Sequence, residues 1–261
     1  MNKPTYHLWY SKIRVLYTCI PKNGCSTMKY TFGLANGDFD PDVPPHLQEA
    51  RYFNDGARLP ADTKRVIVLR DPLSRVVSAY YENFLNPPAD EYMMKIASDI
   101  LASKRRRFGD VGPDGMLPSF AEFIRFICGQ SDADMDQHWR PQITFWPPEI
   151  DVVFSLDALN EQWRYSPLSN IPLRTQQQHA AITGKTAVNT PEEIGLPGHA
   201  PSDIGGGDLG RAICRHEKIL SVEAMFSDPS ILEIFRTRFA DDLRLWSDHL
   251  NTRRRLDARR A

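Results

Sequence analysis

A lysine, an asparagine, a thiol and two hydroxyls stand together at Lys22, Asn23, Cys25, Ser26 and Thr27, with Gly24 among them, in the segment PKNGCST. These residue types suit anion binding. Lys22 carries a full charge, Gly24 lets the backbone approach a ligand, and Ser26 and Thr27 are residues that cap helices. The run before them, Val15-Leu16-Tyr17-Thr18-Cys19-Ile20, is short, apolar and rich in β-formers, and Pro21 ends it. A strand, a tight turn and a helix start leave the first helical N–H groups without partners and pointing outward. A Walker A loop sets its lysine after the second glycine and directly before Ser/Thr. Here Lys22 precedes Gly24 and Cys25 precedes Ser26, so the segment is not of that type. Taken alone, it also reads as an ordinary strand–turn–helix junction with a serine cap.

A second cation stands in a similar setting. In RVIVLRDPLSRVVSAYYENF, residues 65–84, Val66 to Leu69 form an unbroken apolar run, the pattern of a central strand buried on both faces. Arg70 ends that run, Asp71 is a cap and Pro72 suits the first turn of a helix. Leu73, Val76, Val77, Tyr80, Tyr81 and Phe84 then mark one apolar helix face, and Ser78 lies off it about two turns in. Two strand-to-helix units imply parallel strands, and ligands of open α/β sheets bind at the C-terminal strand ends. Lys22 and Arg70 both fall there, which points to a ligand with two separate anionic groups. The alternative for Arg70 is a packing salt bridge to a neighbouring carboxylate.

IPKNGCSTMK resembles the 5′-phosphosulfate loop of the sulfotransferases, and RDPLSRVVSAYYENF is similar to their 3′-phosphate motif. Gly-Cys-Ser in the loop and Arg-Asp-Pro before the helix resemble the carbohydrate (Golgi-type) group that includes the chondroitin 4-sulfotransferases. The likeness resumes at Asp136-Gln137-His138-Trp139-Arg140-Pro141-Gln142 and continues through Ile150–Phe154 and Leu156–Leu159. It spans roughly residues 14–165, with gaps. Two departures stand out: Trp146-Pro147-Pro148 replaces a Cys-Pro-Cys-like element, and Asp157 stands where the family often has Glu.

The resemblance implies 3′-phosphoadenosine 5′-phosphosulfate (PAPS) as donor, no metal, and a small-molecule or carbohydrate acceptor. It implies Lys22, Asn23, Gly24, Cys25, Ser26 and Thr27 at the 5′ end, and Arg70 and Ser78 at the 3′-phosphate. Lys22 and His138 are the expected catalytic residues: Lys22 neutralises the leaving phosphate, and His138 takes the acceptor proton, as a group titrating near neutrality can. Asp136 is placed to orient His138, and His46 and Glu82 are the fallback bases. The alternative for His138 is a partly buried histidine packing with Trp139. The fold expected is α/β, a P-loop-like three-layer arrangement with a central mostly parallel sheet flanked by helices and a helical C-terminal part, in a single domain over residues 1–261.

Composition narrows the function classes. The chain has 261 residues and a formal net charge of -1, from 32 Lys+Arg against 33 Asp+Glu, whereas a general nucleic-acid binder carries a basic excess. No apolar run approaches the ~20 residues that span a bilayer. The N-terminal segment lacks the apolar core of a signal peptide. Cys19, Cys25, Cys128 and Cys214 form no CxxC pair, and they read as reduced thiols of a cytoplasmic protein. Cys25, at a helix start and next to Lys22, is a candidate for a lowered pKa; the alternative is that it lends only its backbone N–H.

The remaining segments are less specific. Residues 1–13 read as a surface arm, and 35–63 as a long excursion with at most one short helix, around His46–Phe53. A helix over 90–108 ends in Lys104-Arg105-Arg106-Arg107, a solvated end or an acidic-acceptor contact. Gly33 reads as a helix C-cap, and Gly205-Gly206-Gly207 as a flexible linker. Residues 208–226 and 229–250 read as two helices, followed by a solvated basic tail. Two rival classes remain at this level: an atypical kinase using Asp71 or Asp151 for Mg²⁺, and a non-catalytic nucleotide-binding module. Oligomeric state is left open.

Overall fold

The computed structural model describes residues 6–53, 58–85, 91–108, 117–174 and 185–258. The chain forms two compact units. The first comprises Met1–Asp71, Arg140–Gln178 and Arg244–Ala261; the second comprises Pro72–Trp139 and His179–Leu243.

The first unit is built on a four-stranded sheet in the order β1 (His7–Tyr10), β2 (Val15–Thr18), β3 (Lys64–Leu69), β4 (Val152–Ser155). β2, β3 and β4 are parallel, and β1 is an antiparallel edge strand on β2. Alternation along β3 explains its unbroken apolar run. Val66 and Val68 pack with Met28 and Phe32 of α1 (Cys25–Asn36). Ile67 and Leu69 pack on the other face with Phe145 and with Leu245 and Trp246. Successive side chains of a strand point to opposite faces, so a strand covered on both sides needs apolar residues throughout. α2 (Pro45–Gln48) leads into a 3₁₀ turn over Glu49–Tyr52, and α6 (Leu159–Arg164) brings Trp163 onto Phe32 and Phe154. The central, mostly parallel sheet flanked by helices agrees with the expected fold class.

The second unit is mainly helical. It holds α3 (Pro72–Tyr80), which passes into a π-helical turn at Tyr81–Leu85, then α4 (Glu91–Phe108), α5 (Phe120–Cys128), α7 (Gly206–His216), α8 (Val222–Met225) and α9 (Pro229–Arg238). Its core is aromatic: Tyr80, Phe84, Phe120, Phe123 and Trp139 meet mostly edge-on or tilted, with Phe84 and Trp139 stacked. A capping box, Ser119 with Glu122, starts α5. α10 (Ala240–Ala258) follows α9 after a break at Phe239.

Several expectations are corrected. Residues 7–10 are not a surface arm but strand β1, because Leu8 and Tyr10 are buried and continue the sheet. Gly33 does not cap α1; it lies inside the helix, where Phe39 occupies the space a side chain would need, and Gly37 in the left-handed region caps instead. Ser26 and Thr27 do not cap α1 either: Gly24 holds that position without a side-chain bond. Gly206 is no linker residue. It begins α7 and packs so closely on Leu117 and Pro118 that a Cβ would collide. The single helix expected over 208–226 is broken at Glu217, whose φ is 54, and residues Lys218–Leu220 form β6, parallel to β5 (Thr186–Val188). The side chains of Lys104–Arg107, and of the C-terminal tail from Arg254 onward, lie outside the described residues.

Candidate active site

Lys22 and Arg70 both follow the C-terminal ends of neighbouring parallel strands, β2 and β3, so topology alone brings them to one sheet edge. The loop between β2 and α1 turns sharply. Lys22 has φ 70 and Gly24 has φ 75, two left-handed residues in three. Only glycine adopts that conformation without cost, and here the space is also closed: a Cβ on Gly24 would lie 2.7 Å from the Leu156 side chain. With no side-chain cap and no acidic residue in the first turn of α1, the N–H groups of Cys25, Ser26 and Thr27 begin a helix that favours an anion.

The loop is tied to the β3 end by side chains. Arg70 Nη1 donates to the Lys22 carbonyl at 3.0 Å. Asn23, fully buried at 0 % exposure, donates through Nδ2 to the Val68 carbonyl at 2.8 Å and to Gln142 Oε1 at 2.6 Å. The Asn23 side chain therefore holds the loop rather than facing outward. Burial lowers the pKa of Arg70, while Asp157 and Asp71 oppose that shift. Its Nε is buried without a hydrogen-bond partner. A buried donor left orphaned on a cation is costly, and an anion that completes it recovers that cost.

Cys25 Sγ lies 2.7 Å from the Ile20 carbonyl and 3.9 Å from Tyr17 Oη. A hydrogen bond from Cys19, against the opposing effect of burial and with help from the Lys29 charge and Tyr17, lowers its pKa to about 6. The cation responsible is Lys29, one helical turn on and paired with Glu49, not Lys22 as the sequence suggested.

His138 sits in the second unit, 29 % exposed, in the segment between α5 and the 3₁₀ turn at Gln142–Phe145. Its Nδ1 is 2.6 Å from Asp136 Oδ1, and its backbone N–H donates to the same oxygen at 2.8 Å. Tyr92 donates to the other oxygen at 3.0 Å. Burial raises the Asp136 pKa, but the hydrogen bonds and charge of His138, with Tyr92, outweigh it and hold the carboxyl below its ordinary range. An ionised Asp136 fixes Nδ1 as the donor, so Nε2 of the neutral ring carries the lone pair. Ser78, half-buried on α3, and Glu82, in the π-helical turn, also belong to the second unit. His46 is exposed on α2 of the first unit.

The structure thus brings Lys22, Asn23 and Arg70 together directly. Two partners were missed in the sequence, Gln142 and Tyr92. Gln142 lay inside a segment already singled out, but no local pattern marks a glutamine there as the partner of residues 72 and 119 positions away. Asp151, a metal ligand in the kinase alternative, precedes β4 and bonds the Arg65 backbone at 2.8 Å, at the opposite sheet edge from Lys22 and Arg70. Among the described residues no group of three His, Cys, Asp or Glu side chains is arranged to hold a metal, and no helix is long and apolar enough to cross a membrane.

The model of the Sulfotransferase family matches residues 7–180, and the chain belongs to that family. It is 28% identical over 173 residues to a Danio rerio protein named carbohydrate sulfotransferase 14, covering 58% of this chain and 44% of the relative. The Mus musculus protein of the same name is 30% identical over 168 residues, covering 57% and 42%. A Homo sapiens protein named carbohydrate sulfotransferase 9 is 28% identical over 172 residues, covering 59% and 38%. The chain thus spans less than half the length of the curated relatives it matches. No solved structure matches it. These likenesses do not favour the kinase or the non-catalytic alternative.

Proposed function

We propose that this chain transfers a sulfuryl group from PAPS to a hydroxyl of a carbohydrate acceptor. The observation that carries the reading is Arg70: a half-buried guanidinium with a buried, orphaned Nε, anchored to the carbonyl of the lysine in the anion-binding loop. Membership of the Sulfotransferase family and the names of the relatives support the donor and the acceptor class.

When bound, the donor supplies an activated sulfuryl group on a phosphate leaving group. Arg70 and Ser78 hold the 3′-phosphate, for which the planar guanidinium fork suits two oxygens. The N–H groups that open α1, with the Ser26 and Thr27 hydroxyls, hold the 5′ end. Lys22 neutralises the charge that develops on the bridging oxygen; removing one such preorganised donor costs on the order of 10²–10³ in rate. His138 takes the acceptor hydroxyl proton on Nε2, while Asp136 keeps Nδ1 protonated. The four free cysteines suit a reducing compartment, and we read the protein as cytoplasmic on that ground.

Calorimetry without Mg²⁺ tests the donor. Adenosine 3′,5′-bisphosphate should bind more tightly than AMP, and the difference should vanish in Arg70→Ala. Transfer of radiolabelled sulfate from PAPS to a panel of oligosaccharides tests the acceptor. Equal binding of the two nucleotides would sink the reading.

A further inference from the structure

We infer that Gln142 is the positioning residue that couples the two anion sites of the proposed PAPS pocket; the inference rests on that reading of the pocket. Arg70 stands one residue beyond β3, where the strand's ladder has run out. Its backbone groups are taken up instead by one carboxamide. Gln142 Oε1 accepts from Arg70 N at 3.1 Å, and Gln142 Nε2 donates to Arg70 O at 2.9 Å. This is the bonding pattern of a neighbouring strand, supplied by a side chain.

The same Oε1 accepts from Asn23 Nδ2 at 2.6 Å. Arg70 Nη1 returns to the Lys22 carbonyl, which closes a ring through Lys22, Asn23, Gln142 and Arg70. Gln142 is 1 % exposed. Its own place is fixed from below, because Pro141 starts a 3₁₀ turn whose Phe145 packs on Ile20, Ile67 and Leu69. The carboxamide thus sets where the Arg70 backbone stands relative to the left-handed loop at Lys22–Gly24. A donor carrying both a 5′ and a 3′ anion needs that spacing held before it binds, since preorganisation removes an ordering cost from binding.

The test compares wild type with Gln142→Met, which keeps length and volume but makes none of these bonds. Calorimetric affinities for adenosine 3′,5′-bisphosphate and AMP give a discrimination ratio for the 3′-phosphate, and near-ultraviolet circular dichroism confirms folding. We expect the bisphosphate to bind about tenfold weaker or worse, and the ratio to shrink, because Arg70 loses its register with the loop. A merely structural glutamine would lower thermal stability and leave the ratio of the folded protein unchanged, which overturns the inference. If the methionine variant does not fold, Gln142→Glu is read on the same ratio. It keeps both accepted bonds but cannot donate to the Arg70 carbonyl, so the ratio should fall here too, and an unchanged ratio overturns the inference. Wild type that binds both nucleotides equally removes the PAPS reading itself and this inference with it.

Discussion

The guanidinium of Arg70 reaches back 48 residues in sequence to donate to the carbonyl of Lys22. The two cationic motifs therefore do not merely share a sheet edge. One holds the backbone of the other, and a change at either should be felt at both ends of the donor.

Arg70 variants test this coupling. Arg70→Ala removes a charge-assisted contact and the anchor of the loop. We expect affinity for adenosine 3′,5′-bisphosphate to fall by at least about tenfold, and AMP binding to weaken as well, because the loop at Lys22 loses its tether. Arg70→Lys keeps the charge but not the fork, and should not restore discrimination between the two nucleotides. Calorimetric titration of both ligands against each variant decides it.

Gly24→Ala places a Cβ at φ 75 and against Leu156. Left-handed backbone and overpacking together should cost about 2–4 kcal/mol. Urea unfolding should show a lower midpoint with an unchanged slope. Leu156→Ala in the same chain should return the steric part and leave the backbone part.

Gly33→Ala sets two effects against each other. Alanine in a helix interior gains about 1 kcal/mol in propensity over glycine. The new Cβ, however, would lie 2.3 Å from Phe39, and forcing that packing apart costs about 1–3 kcal/mol. The expected result is a net loss of stability by thermal unfolding. A stabilised variant would show that Phe39 swings away freely.

His138 and Asp136 should separate chemistry from donor binding. His138→Ala should lower kcat by about 10²–10⁴ with the donor affinity unchanged. Asp136→Asn should lower kcat too, since an amide no longer fixes the ring tautomer. Asp136 also links to stability. Its folded pKa is depressed, so its contribution is present above the ordinary carboxylate pKa of about 3.9 and is lost as pH falls through the lowered folded value. The stability gap between wild type and Asp136→Asn should therefore close on acidification below about pH 4. A gap that widens there would contradict the assignment.

Cys25 should react as a thiolate at unusually low pH. With its pKa lowered to about 6, the rate of iodoacetamide labelling should rise through that pH and level off above it. Cys25→Ser should abolish this phase, and adenosine 3′,5′-bisphosphate should slow it. Lys29→Met, which removes the nearby charge, should move the inflection upward. An inflection at an ordinary thiol pKa would remove the lowered value.

Local pattern was enough to determine the framework of this protein. The apolar runs at Val15–Ile20 and Val66–Leu69, each followed by a turn and a helix start, specified parallel strands with Lys22 and Arg70 at their C-terminal ends, because strand burial and helix capping are read within a few residues. Asp136 beside His138 was legible for the same reason, being two residues away. Tertiary structure alone decided the rest. It showed that the Asn23 side chain turns inward, that the charge lowering the Cys25 pKa is that of Lys29 rather than Lys22, and that residues 7–10 complete the sheet. It also showed that Gln142, 119 residues from Asn23, ties the two motifs into one ring. A hydrogen bond between distant residues leaves no periodicity in the chain. A buried glutamine and a solvated one are the same letter until the fold removes the water around it.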